Sequence, residues 1–378
     1  YMDFDEAKLE KIVKKAADLD IELFVLDDGW FGHRNDDTTS LGDWYVNKKK
    51  LPRGLTAISD LTHQLGMKFG LWFEPEMVSK DSDLYRAHPD WAIHTPNRPL
   101  SVARDQYVLD FGRQEVRDNV FKQMCAVLDS TTIDYVKWDM NRNITELYNI
   151  DLPADQQGEA AHRYILGVYD FMAKITTRYP NILFEGCSGG GGRFDAGMLY
   201  YMPQYWTSDN TDAVERVKIQ YGTSLVYPPV SMGAHVSKVP NPNTGRDVDI
   251  HFRSLVANSA DTGYELDPLT LSDDEVKTVI QENNWYKKNR ELIQFGQFYR
   301  LISPFNTNQG SWMFVNADQS RAVVMFFNMM SEPSYPLTVL KLQGLDPDAK
   351  YAINGHQQAM GDELMTIGFY PLVKPEHD

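Results

Sequence analysis

Cysteine is nearly absent from the 378-residue sequence: Cys125 and Cys187 are its only two, so no disulfide framework organises the chain. Basic residues are also in deficit. Against 53 Asp and Glu stand 37 Lys and Arg, a formal charge of −16. A surface of that sign repels nucleic-acid phosphates and anionic headgroups, and neither nucleic acid nor membrane is expected as a partner. No apolar run approaches the length of a membrane span. No internal repeat and no low-complexity tract is found. No histidine pair has metal-ligand spacing such as H-x-x-x-H, so His235 and His251 are read as satisfied loop histidines and no metal is expected. No leader segment is visible, but the first residue is Tyr1 rather than methionine. The sequence is therefore expected to begin inside a longer product; its location is left open, with the cytoplasm favoured over secretion.

What is present is core-forming material. Apolar residues make up 42% and aromatics 12% of the chain, enough for one large domain with a small companion. Short apolar strands are expected at 1–4, 21–27, 67–73, 133–139, 182–187, 204–208, 229–233 and 255–260, with helical periodicity between most neighbours. Such alternation implies a parallel sheet. Eight units over about 300 residues suit a (β/α)₈ barrel, a fold of typically ~250 residues that grows with insertions. An open doubly wound sheet is disfavoured, because polar clusters follow nearly every strand instead of one switch point. The stretch 79–112 reads as irregular. A long helix is expected over 273–296. Beyond it the period changes to short strands at 312–315, 322–327, 337–342 and 350–353, separated by Asn, Asp, Pro and Gly turns. The expected domains are a barrel over 1–300, its first strand truncated, and a small all-β sandwich over 305–378.

The stretch from Tyr135 to Arg142 organises the chemistry. It opens as a buried strand and turns polar, and alternation puts Lys137, Asp139 and Asn141 on one face with Trp138 on the other. The lysine is expected to lower the pKa of Asp139 and keep it ionised. In a barrel, Asp27, Asp28, Trp72, Glu74, Asp139, Cys187 and Asp209 all follow strands and would face one another. Acids and tryptophans together, with no basic cluster and no phosphate loop, describe a sugar site. Asp139 is the expected anion; Asp209, with no basic neighbour in sequence, is expected to keep its proton. Retaining glycosidases hold such a pair ~5–5.5 Å apart and inverting ones ~6.5–9.5 Å. The glycine run 189–192 lacks the ending of a phosphate loop and the spacing of a dinucleotide fingerprint; it is read as a close backbone approach to a ligand, or as a turn. Cys125 is read as core. Cys187, with no histidine near it in sequence, is read as a small pocket-lining residue and not a nucleophile.

Five stretches in order resemble the α-galactosidases of glycoside hydrolase family 36: Leu26 to Gly32, Leu71 to Met77, Tyr135 to Arg142, Phe184 to Gly191 and Trp206 to Asp212. The resemblance implies that Asp139 is the nucleophile and Asp209 the acid/base of a retaining mechanism without cofactor. It implies that Asp27 and Asp28 hold hydroxyls at the far side of galactose. Trp72, Arg104, Lys137, Asn141, Cys187 and the backbone near Gly190 would line the same subsite. Members of this family carry a large β-sandwich domain ahead of the barrel, which helps to assemble oligomers; a homo-oligomer is thus left open here. A barrel lacking most of its first strand would expose two edges. The leading expectation is a retaining exo-α-galactosidase whose partner is an α-galactoside of the melibiose or raffinose type. The alternatives are an α-N-acetylgalactosaminidase or galactosyl transferase using the same site, and a non-catalytic carbohydrate-binding fragment.

Overall fold

The computed structural model describes residues 2–331, 333, 337–355 and 357–371. By packing, the chain divides into two compact units. The first runs to Asp209 and includes Asp267–Leu271; the second comprises Asn210–Leu266 and the residues from Ser272 onward.

The first unit begins with helix α1 (Glu6–Asp18), whose N-cap Asp5 accepts from the Lys8 amide and which buries Leu9, Val13 and Ala16 on one stripe. That i, i+4, i+7 spacing makes one apolar face, each large side chain contributing roughly 1.5–3 kcal/mol on burial. Strand β1 (Leu23–Leu26), helix α2 (Leu55–Gln64) and strand β2 (Lys68–Phe73) follow. A short antiparallel pair, β3 (Met77–Ser79) with β4 (Gln106–Val108), flanks the small helix α3 (Asp83–Ala87). Helix α4 (Gln114–Leu128), strand β5 (Tyr135–Trp138), helix α5 (Ala160–Arg178), strand β6 (Leu183–Gly186), helix α6 (Ala196–Tyr201) and strand β7 (Gln204–Trp206) complete the alternation. The strands pair in parallel, β1 with β2, β2 with β5, β5 with β6 and β6 with β7. A single core runs through the unit, from Leu9 and Val13 through Trp30, Phe73 and Trp138 to Tyr205.

The second unit opens with helix α7 (Ala213–Thr223), strand β8 (Met232–Ser237), helix α8 (Ile250–Ala257) and strand β9 (Asp261–Glu265). Strands β8 and β9 are again parallel. Helix α9 (Asp273–Phe295) starts at Ser272 with a reciprocal cap to Glu275, which satisfies two amides that the first turn would otherwise leave open. Strands β10 (Gln297–Ile302), β11 (Gln309–Val315) and β12 (Ala322–Asn328) form an antiparallel sheet. Its Trp312, Phe314 and Phe327 pack with Tyr286, Leu292 and Ile293 of α9. A hairpin of β13 (Lys350–Ile353) and β14 (Gln357–Met360), then helix α10 (Gly361–Thr366), come last among the described elements. The fold class is the one expected, a (β/α)₈-type parallel arrangement followed by an all-β part.

Several boundaries differ from the sequence reading. Tyr1 lies outside the described residues, and Met2–Phe4 carry no strand. The run expected as a strand at 255–260 is instead the end of α8, to Ala257, and the turn that follows it. Asp249 caps that helix by accepting from the Phe252 amide, which starts helical winding ahead of the apolar run. The strand comes after it, at Asp261–Glu265. The strand expected at 229–233 begins later, because Pro229–Ser231 form a 3₁₀ turn first. The stretch 79–112 contains α3, a turn at Pro89–Trp91 and β4. Leu337–Leu342 forms only an isolated bridge, Leu340 to Phe369, while Gln297–Ile302 is a strand that the sequence reading does not include. His235 lies on β8 and His251 on α8, where its ring nitrogen is 2.6 Å from Glu282.

Gly167 of α5 lies hard against the loop that carries Phe111. A Cβ there would lie 1.9 Å from the Phe111 carbonyl oxygen. Gly167→Ala must push α5 off that carbonyl, an overpacking cost of about 1–3 kcal/mol. Its thermal midpoint should fall clearly below that of Gly158→Ala, where a Cβ meets nothing within 4 Å; equal midpoints in circular dichroism would contradict this packing.

Candidate active site

The first unit collects acids at the ends of its parallel strands. Asp27 and Asp28 directly follow β1. The Lys137 ammonium, from β5, donates to Asp27 Oδ2 at 2.8 Å and lies 4.8 Å from the centre of the Trp206 ring. Burial disfavours that ammonium, but the Asp27 carboxylate and the other acids around it hold its pKa well above the ordinary lysine value. Opposite charge at short range outweighs desolvation here. Lys137 is thus bonded to Asp27, a pairing absent from the sequence reading, while the charge of Asp139 acts on it as well. Two residues on one face of a strand end can still bond across to other strands.

Asp28 is gripped by Arg34. The guanidinium donates from Nε to Oδ1 at 2.9 Å and from Nη2 to Oδ2 at 2.8 Å. This planar fork matches a carboxylate in both geometry and charge. Burial nevertheless leaves the Asp28 carboxyl above its usual range, outweighing Arg34. Arg34 itself is only 2% exposed. The sequence reading does not single it out, although an arginine six residues after an acidic strand end is a usable signal.

Asp139 follows β5. Its Oδ2 accepts from the Trp72 indole at 3.2 Å and its Oδ1 from the Met140 amide at 2.8 Å. Trp72, expected to line the sugar subsite, orients an acid. Its ring is buried and lies nearly parallel to Phe31, 6.0 Å away, with its N–H on Asp139. Trp138, on the opposite face of β5, turns to the core, packing edge-on to Phe171 of α5 and donating to Glu76.

Two glutamates follow β2 and meet different fates. Glu76 is fully buried and receives both terminal nitrogens of Arg193, the Tyr164 hydroxyl at 2.6 Å and the Trp138 indole at 3.0 Å. Burial works against its charge, yet these donors hold its pKa below the ordinary value. Glu74, equally buried, accepts from the Asn141 amide and from the Gln106 side chain. Burial and the nearby Asp139 charge push its carboxyl up to about 8. Arg104 reaches the Asn141 carbonyl at 3.4 Å, so Arg104, Asn141 and Asp139 are brought to one place.

Cys187 follows β6, with its amide on the Trp138 carbonyl at 2.7 Å. Burial, then the Asp139 charge, push its thiol well above the ordinary value. A thiol so held stays protonated and is no nucleophile at neutral pH, in line with the pocket-lining reading. The glycine run, expected as an approach to a ligand or as a turn, makes its closest approach to protein backbone. A Cβ on Gly190, which has φ +80°, would lie 2.3 Å from the Asp209 nitrogen, and one on Gly191 2.3 Å from the Thr207 oxygen. The run therefore seats the segment after β7 that carries Asp209. Burial and the charge of Asp139 raise the Asp209 carboxyl above its usual value, with Lys137 and Arg104 opposing. Among the described residues no group of three or more His, Cys, Asp or Glu is arranged to hold a metal ion.

Comparison with known proteins agrees with this geometry. Residues 1–296 match the family model described as Melibiase, and residues 309–374 match the glycosyl hydrolase family 36 C-terminal domain. The alpha-galactosidase Mel36A of Lactobacillus acidophilus is 56% identical over 375 residues, which is 99% of this chain and 51% of that protein. Alpha-galactosidase AgaA of Geobacillus stearothermophilus is 56% identical over 368 residues, 97% of this chain and 50% of that protein. A crystal structure of a variant of AgaA in complex with raffinose superposes with a TM-score of 0.97 at 54% identity, covering 99% of this chain and 52% of that one. This chain spans about half the length of the curated relatives it matches. With a family model covering most of its length and the family's sequence stretches converging on one acid-rich site, the chain belongs to the melibiase family, glycoside hydrolase family 36.

Proposed function

We propose that this chain is a retaining exo-α-galactosidase that removes terminal α-linked galactose from melibiose- and raffinose-type oligosaccharides, with its catalytic barrel over 1–300 and a β domain over 305–378. The observation that carries this reading is the division between two acids. Asp139 is held by two donors, an indole and an amide, which suit a carboxylate and aim it. The Asp209 carboxyl is instead raised, by burial and by the charge of Asp139. A carboxyl aimed by two donors, beside a second one raised by burial and by the charge of the first, fits a nucleophile and a general acid. The substrate class rests on the relatives: variants of the Geobacillus enzyme AgaA have been crystallised with raffinose and with stachyose.

In this mechanism Asp139 attacks the anomeric carbon while Asp209 gives its proton to the glycosidic oxygen, and the aglycone leaves as an alcohol. A β-galactosyl ester on Asp139 results. Asp209, now a carboxylate, takes a proton from water as that water attacks the anomeric carbon, and α-galactose departs. Asp27 and Asp28 accept hydroxyl hydrogens of the sugar. Lys137, Trp72, Arg104, Asn141, Cys187 and the Gly190 backbone line the rest of the subsite.

Asp139→Ala should abolish turnover while the thermal midpoint stays near that of the parent, and added azide should yield β-galactosyl azide by attack from the vacated face. Normal turnover by this variant would remove Asp139 from the mechanism. Asp28→Ala should lose both galactose affinity and stability, since it strands the buried Arg34 guanidinium at a cost of about 3–5 kcal/mol. Asp28→Asn keeps an acceptor for Arg34 and should retain more of the stability while still weakening galactose in calorimetry. An unchanged galactose affinity in Asp28→Asn would count against its contact with the sugar.

Asp209→Ala should cripple hydrolysis of melibiose, whose leaving alcohol needs a proton, and spare the first step with a nitrophenyl galactoside, whose phenol leaves unaided. The galactosyl-enzyme should then accumulate as a burst, and azide should release it as α-galactosyl azide. The protonated acid is the active form, so kcat/KM for melibiose should fall as pH rises through the Asp209 pKa, which lies above the ordinary aspartate value. Loss of that alkaline limb from the azide-supported reaction of Asp209→Ala is the matching sign; equal losses on both substrates with no burst would exclude the role.

A further inference from the structure

Glu74 and Glu76 stand two residues apart, both wholly removed from solvent. Glu76 has a guanidinium fork, a phenol and an indole. Glu74 has no ion pair with a cation among the described residues. Its donors are neutral: the Asn141 backbone amide on Oε1, the Asn141 side chain, and the Gln106 side-chain amide on Oε2 at 3.2 Å. The guanidiniums in the neighbourhood are committed elsewhere: Arg34 to Asp28, and Arg142 to the carbonyls of Ser101 and Gln106. The charged group that bears on Glu74 most strongly is another acid, Asp139. A carboxylate buried without a cation and beside a second carboxylate is unfavourable on both counts, and takes up a proton instead.

Gln106 can accommodate a protonated Glu74. It is 2% exposed, and its side-chain oxygen has no hydrogen-bond partner among the described residues while its nitrogen faces Glu74. Oxygen and nitrogen of a glutamine amide exchange places by a half-turn. With the amide turned, Glu74 Oε2–H donates to the Gln106 oxygen and Glu74 Oε1 still accepts from Asn141.

We propose that Glu74 is a neutral carboxylic acid in the working enzyme and serves as a positioning residue: it ties the Asn141 backbone, just beyond Asp139, to Gln106 without adding a second negative charge beside Asp139. An ionised Glu74 would hold the same backbone but would oppose the Asp139 carboxylate that the reaction needs. This inference rests on the reading of Asp139 as nucleophile for its purpose, whereas its protonation state is measured without turnover.

The test compares the purified protein with Glu74→Gln and Glu74→Ala. At neutral pH, the infrared difference spectrum of wild type minus Glu74→Gln should contain the C=O stretch of a protonated carboxylic acid. A spectrum with carboxylate bands only would overturn the proposal. Stability gives a second reading. An acid whose pKa rises from an ordinary 4.5 to about 8 in the native state supplies stability at low pH that is lost as pH rises through the native value. The thermal midpoint of Glu74→Gln should therefore gain on that of wild type between about pH 5 and 8 and then run parallel. A pH-independent difference would overturn the proposal.

Turnover of a nitrophenyl galactoside supplies the third reading. Glu74→Ala leaves the Asn141 amide without its acceptor and should lose roughly ten- to a hundredfold. Glutamine, which can accept from Asn141 and donate to Gln106, should restore most of that loss. If glutamine is as damaging as alanine while both remain folded, the charge on Glu74 is required and the proposal fails. If wild type itself shows no α-galactosidase activity, the infrared and thermal readings still decide the protonation state.

Discussion

The Lys137 ammonium, 2.8 Å from Asp27 and facing the Trp206 ring, sets the electrostatics of the first unit. Around it the ends of parallel strands bring Asp27, Asp139, Glu185 and Asp209 into mutual range. The buried ammonium favours the charged forms of Glu185 and Asp209, and Asp27, Asp139 and Glu185 in turn favour its own. The compensation is uneven, and that unevenness is chemically useful. Asp27 takes the direct bond. Glu185 receives the Trp206 indole at 2.9 Å and the Gln204 amide at 3.0 Å, yet burial still raises it. Asp209 feels the ammonium too, but burial and the charge of Asp139 outweigh it.

A second buried pair provides rigidity. Glu76 takes Arg193, which directly follows the glycine run, and also takes the indole of Trp138, which directly precedes Asp139. Gly190 and Gly191 lie against the backbone of Thr207 to Asp209 at distances that admit no Cβ. One acid is thereby connected, through a short chain of buried contacts, to the backbone that carries each member of the proposed catalytic pair. Removing one side of such a bridge leaves the other charged and dry, which is why it resists drift better than surface ion pairs do. A site that must hold two carboxyls within a fraction of an ångström gains from that stiffness.

What is legible in the sequence follows from local rules. Apolar runs ending in polar residues locate strands β1, β2, β5, β6 and β7, because a buried parallel strand must be apolar and its polar end must leave the core. The expected site residues Asp27, Trp72, Lys137, Asp139, Cys187 and Asp209 all lie at or beside those ends. The failures are of two kinds. Leu255 to Ala260 is too short for its period to separate helix from strand, and the deciding signal is the capping Asp249 upstream. The pairings Lys137 with Asp27 and Arg193 with Glu76 join residues 110 and 117 positions apart. No spacing rule reaches that far, so a local reading finds Asp139, whose charge the lysine does feel, and misses the bond to Asp27.

The turn at Glu74-Pro75-Glu76 illustrates how such long-range pairing turns like residues into unlike ones. On a strand, positions two apart would share a face and a dielectric environment. β2 ends at Phe73, however, and the Met77 amide closes back on the Glu74 carbonyl at 3.3 Å, with proline fixing one φ between them. The two carboxyls therefore leave the backbone toward different neighbours. Glu76 meets a guanidinium and is held ionised; Glu74 meets neutral amides and the charge of Asp139, and keeps its proton more readily. Had β2 continued by three residues, both acids would have left one face of the strand. Ending the strand early lets one glutamate brace the loops as an anion, and leaves the other free to support the Asp139 segment as a neutral acid.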